Sequence, residues 1–296
     1  MNRFAYIGLV LATTFLMGVA FPVGKIGLLY STPFLLMGIR FVLAGGGLAL
    51  FTAKRRQPRG LRQWLQAAVV GLFQSAGTMG CAYYSMRWIT SAESAILTFM
   101  NPLLVVILGT VFAGARYRPL QWLGTALGFA GVAFSFGFQV GFNTGTFIGF
   151  AGAVCFAAAT LLIKRWGPGF DLTVFTAYQM LIGGFILLLL SALTEHPYFE
   201  WNASSVTVLL WLASMCSIVQ FSGWFYLLKN GDPGKTSALL FLAPIFGVLS
   251  SWVLLGEKVY VETIAGGLLV CIGIFFVNWE GRPQAWRTKK LLREAR

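Results

Sequence analysis

The chain has 296 residues, 57% hydrophobic and only 10% charged, with a mean hydropathy of +0.76. A water-soluble domain carries about 25% charged residues, so this composition excludes a soluble globular protein and points to a polytopic membrane protein. The formal net charge of +13 would suit a nucleic-acid partner only if the basic residues clustered on a folded domain.

Ten apolar runs reach the roughly 20 residues needed to cross a hydrocarbon core as a helix. The predicted spans are 4–25, 33–53, 64–86, 91–113 and 119–139, then 145–163, 172–192, 205–228, 234–255 and 260–279. Helices are expected because lipid offers no water to satisfy open backbone groups, and the runs are too long for barrel strands. The first run is expected to be a span and not a cleaved leader, since it lacks a clear small-x-small site. The connection 194–204 carries Tyr198, Phe199 and Trp201, which suit a membrane interface. Residues 282–296 read as a basic tail helix on the inner leaflet.

Of the 22 Lys and Arg, 18 fall at the termini and in the even-numbered connections. Lys25, Arg87 and Lys258 fall on the opposite side, and Arg40 lies inside the second span. The positive-inside rule therefore places both termini in the cytoplasm. The charge is topogenic and attracts anionic headgroups; no RNA-binding motif or basic folded domain accompanies it, so no nucleic-acid partner is expected. Cys81, Cys155, Cys216 and Cys271 stand singly in apolar runs without C-x-x-C spacing. They are expected to pack as small apolar groups, with neither disulfide nor metal site.

The chain repeats itself. A shift of 142 positions lays Phe99 on Phe241, Pro102 on Pro244 and Gly114 on Gly256. It continues through Gly124 on Gly266 and Gly131 on Gly273, and backwards through Tyr84 on Tyr226. Earlier spans echo at a shift of 139, which lays Lys25 on Lys164 and Arg40 on Gln179. Equivalent spans are five apart, an odd number, so the second half must be upside down. The expected fold is all-α, with ten transmembrane helices as two inverted five-helix repeats, 1–140 and 141–281, followed by the tail. Many secondary transporters are built this way and hold solute near the bilayer midplane, between the halves.

An ordered set of short motifs carries a resemblance over nearly the whole chain. It runs from Lys25 and Arg40-Phe41 through Thr90-Ser91-Ala92 and Asn101-Pro102-Leu103. It then continues with Phe241-Leu242-Ala243-Pro244, Gly256-Glu257-Lys258 and Ile264-Ala265-Gly266. In this order the chain resembles the EamA-type branch of the drug/metabolite transporter superfamily. One departure is visible: that family often closes the fourth span with Gly-Glu, where this chain has Gly114-Ala115. The resemblance implies a cell-membrane permease, commonly an exporter of amino acids or related metabolites, acting without a cofactor.

Polar residues at helical spacing point to a cavity or a packed neighbour, not to lipid. Gln74, Thr78, Cys81 and Ser85 form such a stripe in the third span, and Ser94, Thr98 and Asn101 in the fourth. In the eighth, Ser217, Gln220 and Trp224 line up, and Thr78 matches Gln220 in the repeat. With Arg40 and its match Gln179, these residues are the candidates for binding a small polar solute. Amides and hydroxyls would pair a zwitterion while rings cover an apolar side chain. The competing reading is helix glue, worth about 0.6 kcal/mol per hydrogen bond. For Arg40 it is snorkelling to the outer interface, about 10 Å away.

Pro102 and Pro244 are candidate hinges, each freeing a carbonyl one turn earlier, on Thr98 and Leu240. Packing alone also kinks helices. Gly124, Gly128 and Gly131 suit close helix contact. Glu93, Glu257 and Glu262 fall at outer span ends, which favours facilitated or exchange transport over proton coupling. An exporter of lipophilic cations is the rival, but it wants a carboxylate at depth. A lipid-modifying enzyme would need a His, Asp or Cys constellation that this chain does not suggest.

Overall fold

A computed structural model describes residues 3–135, 143–230, 240 and 242–278. The first and second spans are Arg3–Gly27 and Pro33–Phe51. The third comprises Gly60–Gly71, a π-helical turn at Leu72–Met79, and Gly80–Ser85. The fourth comprises Ser91–Phe99 and Asn101–Ala113, and the fifth is Pro119–Ser135. The sixth and seventh are Thr144–Trp166 and Leu172–Thr194. The eighth comprises Ala203–Ala213, a second π-helical turn at Ser214–Val219, and Gln220–Asn230; Leu242–Leu255 and Val261–Asn278 complete the set. The first, second, fourth, sixth, seventh and eighth contain helices long and apolar enough to cross a membrane; Leu242–Leu255 and Val261–Val277 are shorter apolar helices. Expectations for 136–139, Phe241, the start of the ninth span and the tail 282–296 fall outside the described residues.

Local chemistry sets the ends. Thr90 and Glu93 close a capping box, with the Glu93 N–H 3.1 Å from Thr90 Oγ1 and the Thr90 N–H 2.8 Å from Glu93 Oε2. Asn143 and Asp171 cap the sixth and seventh spans, and the Asn202 amide caps the eighth. Gly114 and Gly256, paired by the repeat, both sit in the left-handed region at φ 59° and 62°, ending the fourth and ninth spans.

Glycines bring equivalent spans together head to tail. A Cβ on Gly45 would lie 2.5 Å from the Leu181 nitrogen, and one on Gly38 would meet Leu188. The second and seventh spans are thus antiparallel and nearly in backbone contact. Gly124 faces Gly273 and Gly131 faces Gly266, so the fifth and tenth are antiparallel too. Small residues are what allow such approach in a membrane, where dispersion contacts replace a hydrophobic drive. Spans that the repeat equates therefore run in opposite senses, as the odd offset required. The halves also interleave: the first span packs on the ninth at Gly18 and Gly247, and the sixth packs on the third and fourth at Gly152 and Gly149.

The largest core gathers Phe21, Met37, Phe41, Tyr83, Met180 and Leu187, from the first, second, third and seventh spans. A second surrounds the break in the fourth span, with Leu97, Met100 and Leu103 against Ala153, Ala157 and Val270. Around the outside, Phe51, Phe112, Leu193 and Val253 stand exposed. On a soluble protein these would be aggregation sites; in a bilayer they meet acyl chains.

The connections sort onto two faces. On one, Thr32 N–H donates to the Tyr198 carbonyl at 3.1 Å and Glu200 N–H to that of Tyr30 at 2.8 Å, while Arg87 lies 3.6 Å from the buried Glu195. On the other, Arg55 pairs with Asp171 at 3.5 Å and the Tyr178 hydroxyl donates to Gln57 at 2.8 Å. Among the described residues, the first, third, seventh and ninth connections share the first face, and the second and sixth share the other.

Candidate functional site

Arg40 occupies the middle of the helix bundle and is 3% exposed, so it does not snorkel. Its Nε donates to Ser217 Oγ at 3.0 Å, Nη1 to Tyr83 Oη at 3.2 Å, and Nη2 to the Cys216 carbonyl at 2.8 Å. Both eighth-span partners belong to the π-helical turn, where the altered backbone ladder presents a carbonyl sideways. Ser217 passes its own proton to the Leu212 carbonyl, five residues back, and Tyr83 passes its proton to that of Ala20. Every contact found for the guanidinium is neutral: among the described residues no carboxylate pairs with it. A cation at this depth without an anion is costly, about 3 kcal/mol on insertion scales.

The same two positions meet a second time, with the hydrogen bond reversed. The shift of 142 that relates the halves lays Ser75 on Ser217, and both serines lie in π-helical turns. Gln179, the match of Arg40, accepts from Ser75 Oγ at 2.8 Å. The second span of each half thus reaches a π-turn serine of the other half, once through a guanidinium and once through an amide. Ser75 had no place among the polar stripes; only the contact brings it out.

The remaining candidates separate into two groups. Thr78 bonds back to the Phe73 carbonyl at 2.8 Å, while Ser85 and Ser94 both donate to the Ala82 carbonyl, holding the third and fourth spans together. Cys81 packs on Gly152. These behave as helix glue, and the π-helical turn breaks the helical phase that joined Gln74 to Ser85. Asn101 reaches Thr160 of the sixth span at 3.4 Å. By contrast, Gln74 and Gln220 are buried at 8% exposure each with no hydrogen-bond partner found among the described residues, and Trp224 is half-buried beyond Gln220. Thr98, 1% exposed, holds a buried hydroxyl without a partner.

The helix ends at Thr98-Phe99, turns at Met100 and restarts at Asn101, with Pro102 at the start of the second piece. The break expected at Pro102 is therefore present. Pro244 is buried in the first turn of Leu242–Leu255, and Phe241 before it lies outside the described residues.

Two acids at this face, Glu195 in the seventh connection and Glu257 at the outer end of the ninth span, have partners that the sequence did not reveal. Glu195 has a side chain only 1% exposed, pairs with Arg87, and accepts from Ser191 Oγ at 2.9 Å. Glu257 caps the fourth span, taking the Ser91 N–H at 2.9 Å and the Ala92 N–H at 3.2 Å. Lys25, at the end of the first span, is half-buried and donates to the carbonyls of Met86 and Ile89. No group of three metal-binding side chains occurs among the described residues.

The EamA-like transporter family matches the chain twice, over residues 4–137 and 143–279. Among curated proteins, the chain is 27% identical to "Uncharacterized transporter YvbV" of Bacillus subtilis over 90% of its length and 89% of the relative's. It is 28% identical to an "Uncharacterized transporter" of Archaeoglobus fulgidus, covering 86% of this chain and 90% of that one. It is 27% identical to "Uncharacterized inner membrane transporter YedA" of Escherichia coli, covering 89% and 87%. A solved crystal structure 20% identical in sequence has the same fold, with a TM-score of 0.64 over 93% of this chain and 96% of that one. Matched end to end by two copies of one family model, and built from antiparallel equivalent helices, this multi-pass membrane protein belongs to the EamA-like transporter family.

Proposed function

We propose that the protein is a permease that exports amino acids or similar small polar metabolites by alternating access. The halves 1–140 and 141–281 rock about a site bounded by the third, fourth, eighth and ninth spans, with Pro102 and Pro244 as hinges. The observation that carries the solute class is Arg40, a buried cation whose found partners are all neutral. A solute carboxylate would supply its missing counter-charge. Gln74 and Gln220, with free amides, and Thr98, with a free hydroxyl, would take the ammonium and remaining polar groups; Thr78, Asn101 and Gln179 support them, and Trp224 would cover an apolar side chain. A lipophilic-cation exporter is disfavoured by the same guanidinium, which repels such a solute.

Counterflow in reconstituted vesicles tests this reading. Vesicles preloaded with unlabelled amino acids should accumulate radiolabelled ones transiently. No accumulation across a broad panel discards the amino-acid assignment. Accumulation of lipophilic cations would replace it with the rival.

A further inference from the structure

Outside the central site the protein contains a cavity of about 630 Å³ at the face of the odd-numbered connections. Lys25, Ser31, Thr32, Arg87, Tyr198 and Glu257 line it, with Leu28, Leu29 and Leu255 supplying apolar wall. Its charged lining is thus two cations against one carboxylate. Arg87 is already engaged, with Glu195 at 3.6 Å and its guanidinium 4.5 Å from the Tyr84 ring centre. Among the described residues the hydrogen-bond partners of Lys25 are carbonyls, those of Met86 and Ile89, and the carboxylates whose charge reaches it are Glu257 and Glu93.

Glu257 ties the end of the ninth span to the start of the fourth. It stands just past the ninth span and grips the first two N–H groups of the fourth, with the Ser91 hydroxyl at 3.0 Å. The same hydroxyl lies 2.8 Å from Ser251 Oγ in the ninth span, and Ser251 is fully buried. The repeat places Ala115 where this half has Glu257, so the opposite end has no matching carboxylate.

We propose that this cavity is an outer vestibule that binds the carboxylate of a small organic solute on Lys25, and that Glu257 is the latch such a solute releases. A carboxylate beside Lys25 shares the cation that faces Glu257 and repels Glu257 directly. Both effects weaken its hold on the fourth span, and the fourth and ninth spans part. The proposal rests on the permease reading only in making the cavity part of a solute path.

The test uses the full chain in right-side-out vesicles, with native cysteines replaced by alanine and Ser251→Cys as the reporter. An impermeant maleimide reaches that position only when the spans separate. Acetate should speed labelling about tenfold over equal chloride, the effect of losing one charged hydrogen bond. Methylammonium should not. Lys25→Gln should abolish the acetate response, and Lys25→Arg should keep it. Glu257→Gln should label fast whether acetate is present or not. Ala92→Cys, at the other side of the latch, gives an independent reporter should Ser251→Cys fold poorly.

Equal rates in acetate and chloride for the native vestibule, or an acetate response surviving Lys25→Gln, overturn the proposal. Labelling needs no turnover. A missing acetate response with intact amino-acid counterflow therefore removes the vestibule alone, and missing counterflow with an intact response removes the amino-acid assignment alone.

Discussion

Arg40–Ser217 and Gln179–Ser75 join the same two places of the repeat, once by a guanidinium donating to the serine and once by an amide oxygen accepting from it. The geometry around them is shared: a second-span side chain, a π-turn serine, and the opposite half of the chain. The neutral version shows that the scaffold does not need a cation to join the halves. An amide at position 179 does so with a 2.8 Å hydrogen bond and no charge to desolvate. The guanidinium at position 40 is more expensive to bury than that amide, which is the physical ground on which we propose that it binds solute.

Four experiments would break or sharpen that comparison, from the largest effect to the smallest. Making the pair symmetric by Gln179→Arg puts a second unpaired cation at depth and should cost about 3 kcal/mol of stability, read as a marked fall in thermal midpoint in detergent. An unchanged midpoint would mean that the two environments already differ in their capacity for charge. The reverse change, Arg40→Gln, should insert and fold, because its twin shows that an amide suits this contact. Counterflow of carboxylate solutes should nevertheless drop about 10- to 100-fold, as expected for losing a charged hydrogen bond. Retained transport would make Arg40 a structural residue.

The two serines should then separate. Ser217→Ala strips a partner from a buried charge and should cost about 2 kcal/mol, whereas Ser75→Ala removes a neutral bond and should cost about 1 kcal/mol. Equal losses in thermal unfolding would say that the charge at position 40 is held by Tyr83 and the Cys216 carbonyl. The smallest change in stability belongs to Thr98→Val. Its hydroxyl is buried without a partner, so removal should be neutral or stabilising by up to about 1 kcal/mol. A loss of transport with that gain in stability would assign the hydroxyl to solute.

Much of the fold was legible because membranes impose simple rules. Apolar length marked the ten runs, the odd repeat offset required inversion, and the glycines that line up in the repeat are the ones at the backbone contacts of the fifth and tenth spans. The helix break at Pro102 followed from a missing backbone donor. The π-helical turns did not follow from anything in the sequence. They insert a phase change after Gln74, so a stripe read at constant 3.6-residue spacing mixed residues that point different ways. Thr78 and Ser85 proved to be bound to nearby carbonyls, and Ser75, off the stripe, proved to face Gln179. Nothing in the sequence pointed to a partner for Glu195 or Glu257, because Arg87 and Ser91 lie more than a hundred residues away in the chain.

By itself the sequence determined the solvent and the symmetry of this protein, since hydropathy and an internal shift are properties of the chain that need no partner. It also placed Arg40 at depth and matched it to Gln179. Only the tertiary structure decided what those two residues touch. A side chain's electrostatic meaning depends on which other element supplies its neighbours, and here each second span takes them from the opposite half. The buried guanidinium with neutral partners and the carboxylate on the fourth span's first turn exist only once the halves interlock.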